Sequence, residues 1–100
     1  MATTPKVLFR GAASTSSTTL YTVPAATTTI VSNIAVTNTA ATSGTFTLTL
    51  NGVAIASAVS VAANSTTFID LKQVLATTQI IAGLASATTI NFHISGVEIA

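Results

Sequence analysis

The chain has 100 residues, enough for one domain with its own core, and its formal net charge is +1. Only 5% of the residues are charged, against about 25% in an ordinary globular domain, so the basic stripe that nucleic-acid binding needs is missing and no direct nucleic-acid partner is expected. Cysteine is absent, which excludes disulfides and thiolate metal sites.

The N-terminal residues show no targeting signal. Met1–Lys6 lacks the charged n-region and the long apolar h-region of a secretory signal peptide. Further along, Thr and Ser interrupt each apolar run well before the roughly 18–20 residues that a membrane span requires. We therefore expect synthesis in the cytoplasm without a signal peptide, no membrane partner, and an extended N-terminal arm at residues 1–5.

Apolar residues alternate with Thr, Ser and Asn, and this period of two is typical of half-buried β-strands. In Thr45–Leu50 each even position is apolar and each odd position is Thr. The sequence predicts an all-β fold, a single antiparallel β-sandwich or jelly-roll-like domain over residues 1–100. About eight strands are expected, at Lys6–Arg10, Leu20–Val23, Thr28–Thr37, Thr45–Leu50, Val53–Val61, Thr66–Leu71, Gln79–Leu84 and Ile90–Ile99.

Turn and breaker residues divide these strands. Pro24 ends the second strand, because proline cannot donate a hydrogen bond to a β-ladder. Asn51-Gly52 predicts a two-residue type I′ hairpin, since both residues accept a positive φ. Asp70–Leu75 predicts a short helical turn capped by Asp70. At Gly96 the apolar positions change from even to odd, which predicts a β-bulge in the last strand.

Few side chains could support catalysis. Asp70 and Glu98 are the only carboxylates, and a glycosidase would need both, about 5–10 Å apart. His93 is the only histidine, and no Gly-x-Ser-x-Gly motif accompanies it. The simpler interpretation has Asp70 capping a turn, Glu98 in solvent, and His93 on a polar strand face with a structural hydrogen bond. We therefore expect no enzyme activity, no catalytic or metal site, no cofactor and no small-molecule substrate.

No Lys, Arg, Asp or Glu occurs between Gly11 and Ile69. The polar positions there hold Thr, Ser and Asn, whose burial costs little when they are hydrogen-bonded, whereas burial of a charge costs several kcal/mol. Interface cores are likewise poor in charge. The uncharged faces therefore indicate an oligomer, and a monomeric Thr-rich sandwich is the alternative.

Two segments carry a resemblance to a known group of proteins: Leu20–Ala25 followed by Thr29–Val31, and Ile90–Ile99. Together with Asn51-Gly52 and Asp70-Leu71, they resemble the small Thr/Ala-rich structural proteins of tailed bacteriophage virions. The resemblance spans nearly the whole chain. In such families small β-sandwich subunits commonly form trimers that decorate or cement a capsid.

The resemblance implies a virion protein, made in the host cytoplasm, that binds the outside of a phage head as a homotrimer and stabilises it. Its partners would be copies of itself and a major capsid protein. No site residue carries over from the resemblance, but the N-terminal segment is free to extend toward a lattice. The candidate lattice or subunit contacts are Lys6, Phe9, Arg10 and Tyr21.

Two alternatives stay open. The chain could be a phage tail, baseplate or fibre component, which would share the same composition and fold class. It could also be a carbohydrate-binding surface module. Such modules usually expose aromatic rings, and the candidate ring in this chain, which has no Trp, is that of Tyr21.

Overall fold

The computed structural model describes residues 3–100, which form an all-β sandwich. Eight strands make up two sheets of four, and this confirms the predicted fold class. Among these residues there is no helix that could span a membrane. The strands are β1 (Thr3–Ala12), β2 (Thr18–Thr22), β3 (Thr28–Asn38), β4 (Gly44–Leu50), β5 (Val53–Val61), β6 (Ser65–Leu75), β7 (Ile80–Ala85) and β8 (Ile90–Ile99).

The connectivity is that of a jelly roll. Sheet I has the strand order β1-β8-β3-β6 and sheet II the order β2-β7-β4-β5, and every neighbouring pair is antiparallel. Apart from the β4–β5 hairpin, each connection carries the chain from one sheet to the other. The eight strands thus enclose one core between two sheets that face each other, as in a jelly roll of two Greek keys.

The core lies between the sheets and follows the alternation of the sequence. In β4, the side chains of Phe46, Leu48 and Leu50 are buried, while the intervening threonines lie on the outer face. The Phe46 ring of sheet II meets the Phe92 ring of sheet I edge-on, with centroids 6.1 Å apart. This geometry is favourable for aromatic pairs and joins the two sheets at the centre of the core.

The β4–β5 hairpin has the predicted turn. Leu50 is paired with Val53, and only Asn51 and Gly52 separate them. Asn51 has a φ of 51° and Gly52 a φ of 80°, the left-handed values that a type I′ turn requires at both positions. The interpretation of Asn51-Gly52 is confirmed.

Strand β6 shows that the prediction of a helical turn at Asp70–Leu75 is wrong. These residues continue the strand, and Leu75 is paired with Thr29 of β3. Leu75 is buried and Leu71 packs against the core. Pairing with β3 and burial of the two leucines outweigh the local capping signal, so Asp70 caps nothing.

The start of the chain also differs from the expectation of a free arm. β1 begins at Thr3, which is paired with Ile99 of β8, so residues 3–5 belong to sheet I. β1 is an edge strand, hydrogen-bonded to a neighbour on one side only. Met1 and Ala2, the rest of the predicted arm, lie outside the described residues.

Strand β8 has no bulge at Gly96, contrary to the prediction. The extra residues lie in its two neighbours, Leu8 in β1 and Ser32 in β3, where the pairing shifts by one position. Gly96 is required for a different reason: the carbonyl oxygen of Ile30 occupies the space where any other residue would place its Cβ. The alternation of β8 therefore continues unbroken, and Glu98 lies on the inner face of sheet I.

Candidate functional site

The chemical groups that the sequence offered are dispersed in the fold. Asp70 lies on the outer face of sheet I, whereas Glu98 lies on the inner face of the same sheet. The sheet separates the two carboxylates, so they cannot flank one glycosidic bond. His93 is exposed on the outer face, as its alternation with Phe92 predicts. The structural hydrogen bond expected for its side chain is not formed within residues 3–100.

Concave sites are missing from the part of the chain that the structure describes. Its surface holds no pocket, and no three His, Asp or Glu side chains come together there as metal ligands. Small-molecule sites in proteins are usually clefts or cavities. The features with functional potential are instead a polar cluster between the sheets and the flat outer face of sheet I.

The polar cluster consists of Lys6, Tyr21, Thr29 and Glu98 and joins the two sheets near one end of the sandwich. Thr29 and Glu98 are directly opposite each other in β3 and β8. The Tyr21 hydroxyl, from sheet II, donates a hydrogen bond to Glu98 Oε2 and accepts one from the Thr29 hydroxyl at 2.8 Å. Lys6 Nζ lies 3.3 Å from Glu98 Oε2. The Glu98 side chain is only 15% exposed, so the prediction of a solvated carboxylate is wrong.

These contacts shift the acidity of both central groups. Burial raises the pKa of Tyr21 to about 12, and the hydrogen bond to Glu98 adds to the rise. The same hydrogen bond lowers the pKa of Glu98; burial partly opposes this effect, and Lys6 reinforces it. At neutral pH the cluster therefore holds a neutral tyrosine and an ionised carboxylate. Because a phenol with a raised pKa is a poor acid and a poor nucleophile, the arrangement is suited to hold the sheets together.

The four residues predicted as contacts take different positions. Lys6 is exposed at the polar cluster, and Arg10 is exposed on the outer face of sheet I. Phe9 is partly buried against the core. Tyr21 is 9% exposed and its hydroxyl is hydrogen-bonded inside the molecule, so most of its surface is closed to a partner. Contacts of these side chains with a lattice stay predictions, and Tyr21 fits that role least.

Strand register aligns the outer side chains of sheet I in rows that cross all four strands. One row, which we call the apolar row, contains Pro5, Val97, Ile30 and Val74, directly opposite one another in β1, β8, β3 and β6. Val74 is 65% exposed. Pro5 is also exposed, whereas Val97 and Ile30 are half-buried. Single exposed aliphatic residues are normal on protein surfaces, and larger contiguous apolar patches are typical of interaction sites.

Two further rows follow the apolar row along the sheet, in the same strand order. The aspartate row contains Val7, Ser95, Asn33 and Asp70, and the arginine row contains Arg10, His93, Ala35 and Phe68. Phe68 is 71% exposed. Arg10 and Asp70 lie on the two opposite edge strands of this face, and neither forms a side-chain hydrogen bond or an ion pair within residues 3–100.

Sequence reasoning did not find these rows. The alternation of apolar and polar residues predicts which side chains of a strand share a face. It does not predict how one strand is aligned with the next, because that alignment depends on the bulges at Leu8 and Ser32. The predicted end of the sixth strand at Leu71 also left out Val74. One signal was available: Phe68 stands at a polar position of the alternation between Thr66 and Asp70.

Sheet II also has exposed aliphatic side chains. They lie on its edge strand β5 and belong to Val53, Ile55 and Val59. The pairing of β5 with β4 is irregular, with shifts on both sides of Leu48 and a positive φ at Ala58. Irregular edge strands resist the addition of a further strand from another chain. We therefore regard β5 as a poor template for strand pairing.

Comparisons with known proteins agree with the fold. No family model and no curated protein matches the sequence. Over 97% of its length the chain is similar in structure to part of a protein chain in the crystal structure of the T13 IBDV viral particle, with a TM-score of 0.55 and 13% sequence identity. The chain spans 29% of the length of that viral chain. At this identity the likeness shows a shared fold, and it is to a chain of a viral particle.

Proposed function

We propose that this chain is a virion structural protein of the capsid decoration type, which binds the outside of a viral head and stabilises it. The observation that carries the proposal is the eight-stranded jelly roll whose likeness to a chain of the T13 IBDV viral particle extends over 97% of the chain. Jelly rolls are frequent in viral capsid proteins, and also occur in lectin domains. The fold thus favours a particle component, while the place in the particle is inferred from other features.

The outer surfaces support a role in assembly. The 59 residues from Gly11 to Ile69 include no charged side chain, and their outer positions are largely Thr, Ser and Ala. Hydroxyl groups can be buried in a contact at low cost when they find hydrogen bonds, whereas charges cannot. Many copies could therefore pack closely on a shell without burying unpaired charges.

The decoration role itself rests on the resemblance of the sequence to small Thr/Ala-rich phage virion proteins. In this role the chain would act mechanically. Each copy would contact neighbouring shell subunits, and the added buried surface would raise the free energy needed to separate them. No reaction and no small molecule enter this mechanism.

Of the two alternatives, a tail, baseplate or fibre component is compatible with the same fold and surfaces. The carbohydrate-binding alternative depended on an exposed Tyr21 ring. That ring is 9% exposed and lies on the inner side of sheet II, so it cannot stack on a sugar without opening the sandwich. The exposed aromatic ring among residues 3–100 is instead Phe68, on the outer face of sheet I, and no pocket accompanies it there.

The test uses particles of the virus that encodes the chain, prepared with and without a functional copy of its gene. Purified protein is added back to the deficient particles, with heat-unfolded protein as the control, and bound protein is measured after sedimentation. We expect the folded protein to bind heads and to raise the temperature at which they open. Binding to isolated tails and not to heads would favour the tail alternative, and absence from wild-type particles would overturn both.

A further inference from the structure

The outer face of sheet I has the properties of a surface that is covered in the functional protein. Besides the apolar row, it exposes Val7, which is 45% exposed, and Phe68, which is 71% exposed. Ile99 extends the apolar area at one end, where it is directly opposite Thr3 and Thr28. The apolar row spans four strands, about 14 Å from the first strand axis to the last; Pro5 and Val74 at its ends are exposed, and Val97 and Ile30 between them are half-buried. A continuous apolar row of this length is unusual for a surface that faces only water.

We propose that this face packs against the same face of a second copy of the chain, about a two-fold axis parallel to the strands. Such an axis exchanges the two edges of the sheet but keeps the position along the strands. Each row therefore lies over the same row of the second copy. In the apolar row Pro5 faces Val74, and Val97 faces Ile30.

The same axis brings opposite charges together. It places β1 of one copy over β6 of the other, so Arg10 lies over Phe68, with Asp70 about 7 Å further along β6. Stacked sheets lie about 10 Å apart, a gap that an arginine and an aspartate side chain span together. Arg10 can thus contact both the ring and the carboxylate of the second copy, and the symmetry generates this contact twice.

A two-fold axis perpendicular to the strands does not bring Arg10 and Asp70 together. An axis perpendicular to the strands would reverse the order of the rows, so that only one row could lie over itself. It would also leave β1 over β1 and β6 over β6, with Arg10 far from Asp70. The pairing of Arg10 with Asp70 therefore requires the axis parallel to the strands. Lys72, which is also exposed on β6 beside Asp70, then lies over β1 of the second copy.

The area is sufficient for a specific contact between two copies. Strands of ten or eleven residues are about 33–36 Å long, and four of them are about 19 Å wide, which gives a flat face of roughly 650 Å². Side-chain relief raises the accessible area above this value. A standard interface buries about 800 Å² on each partner.

A two-fold contact yields dimers, whereas the resemblance to phage decoration proteins implies trimers. The two differ in the mass of the purified protein. The inference does not depend on the proposed function, because it concerns the protein in solution, while the virion role is measured on particles. Each can fail without the other.

The first test is light scattering coupled to size-exclusion chromatography over a range of concentrations. We expect a species of twice the chain mass. Val74→Asp places a carboxylate in the apolar row at an exposed position, and should raise the dimer dissociation constant about a hundredfold or more. The matched control Thr22→Asp puts the same charge on the exposed face of β2 in sheet II and should leave the dissociation constant unchanged. Far-UV circular dichroism verifies the fold of each variant.

The second test reverses the charges. Arg10→Asp and Asp70→Arg should each weaken the dimer by about tenfold, because each creates two like-charge contacts. The double variant should regain most of the lost affinity. A wild-type protein of one or three chain masses would overturn the proposal, as would equal dissociation constants for Val74→Asp and Thr22→Asp. A double variant no tighter than the single ones would overturn the placement of Arg10 against Asp70.

Discussion

The Tyr21 hydroxyl, in one sheet, donates a hydrogen bond to the Glu98 carboxylate in the other. Thr29 and Lys6 complete this contact, so a buried phenol and a nearly buried carboxylate each have partners. Glu98 lies on the inner face of β8, so without the Tyr21 hydroxyl its carboxylate would lose a hydrogen-bond partner from the opposite sheet. The pair connects the stability of the sandwich to two titratable groups.

Tyr21→Phe removes the hydroxyl and leaves the shape of the ring intact. Glu98 would keep only Lys6 as its partner, and loss of a hydrogen bond to a charged group of low exposure costs about 1–3 kcal/mol. We expect a decrease of this size in the free energy of unfolding, measured with urea. Thr22→Val, an exposed neighbour in β2, serves as the control and should change it by less than about 0.5 kcal/mol. Equal effects would contradict the role of the cluster.

Alkaline pH should weaken the fold through the same tyrosine. Tyr21 has a pKa of about 12 in the folded chain and 10.0 as its ordinary value, so the folded state holds the phenol proton more strongly. The resulting stability is fully present below pH 10 and is lost as the pH rises from 10 to about 12. Two pH units correspond to about 3 kcal/mol. In urea titrations at several pH values, Tyr21→Phe should lack this loss; a loss as large as that of the wild type would contradict it.

Gly96→Ala should be among the most damaging single substitutions in the chain. Its Cβ would collide with the carbonyl oxygen of Ile30 and lie 3.0 Å from the Leu8 side chain. Because the first obstacle is backbone, relief requires β3 to move, and we expect a loss of about 3 kcal/mol or more, or failure to fold. Gly11→Ala is the matched control, since its Cβ would lie 3.4 Å from the Phe9 ring. Thermal unfolding that gives the two variants equal midpoints would contradict this account of Gly96.

Asn38 is a buried amide that fastens the end of β3 to the chain beyond it. Its Nδ2 donates to the carbonyl oxygens of Thr42 and Val61, at 2.9 and 3.2 Å, and its Oδ1 accepts from the backbone N–H of Ala40. Asn38→Leu removes all three bonds, of which the one to Val61 is buried and the other two are part-buried, and this should cost about 2–4 kcal/mol in urea unfolding. Asn91→Leu, at a half-buried outer position of β8, is the control. A loss no larger than that of the control would show that water replaces the amide.

The fold was largely predictable because its signals are local. The β4–β5 turn follows from the two residues Asn51-Gly52, and the bounds of β5 and β8 were predicted as they stand in the structure. The β6 prediction was too short because a capping pattern at Asp70 is also local, whereas the burial of Leu75 depends on β3. Only pairing across the sheet decides whether Asp70–Leu75 forms a helical turn or continues the strand.

The candidate sites were less predictable, because they depend on contacts between distant parts of the chain. Glu98 was assigned to solvent because the bulge predicted at Gly96 put it at a polar position of the last strand; its partner Tyr21 is 77 residues away. The rows of sheet I depend on register, and a shift of one residue would turn every outer side chain of a strand to the opposite face of the sheet. The bulge at Ser32, which sets this register, has no signal in the alternation of β3.

The most direct test of the proposed function is an electron cryo-microscopy map of intact particles of the virus that encodes the chain. We expect jelly-roll densities with the dimensions of this molecule, 46 × 21 × 18 Å, on the outer surface of the head, and their loss when the gene is deleted. Particles whose heads are the same with and without the gene, and which lack the protein by mass spectrometry, would contradict a structural role in the virion.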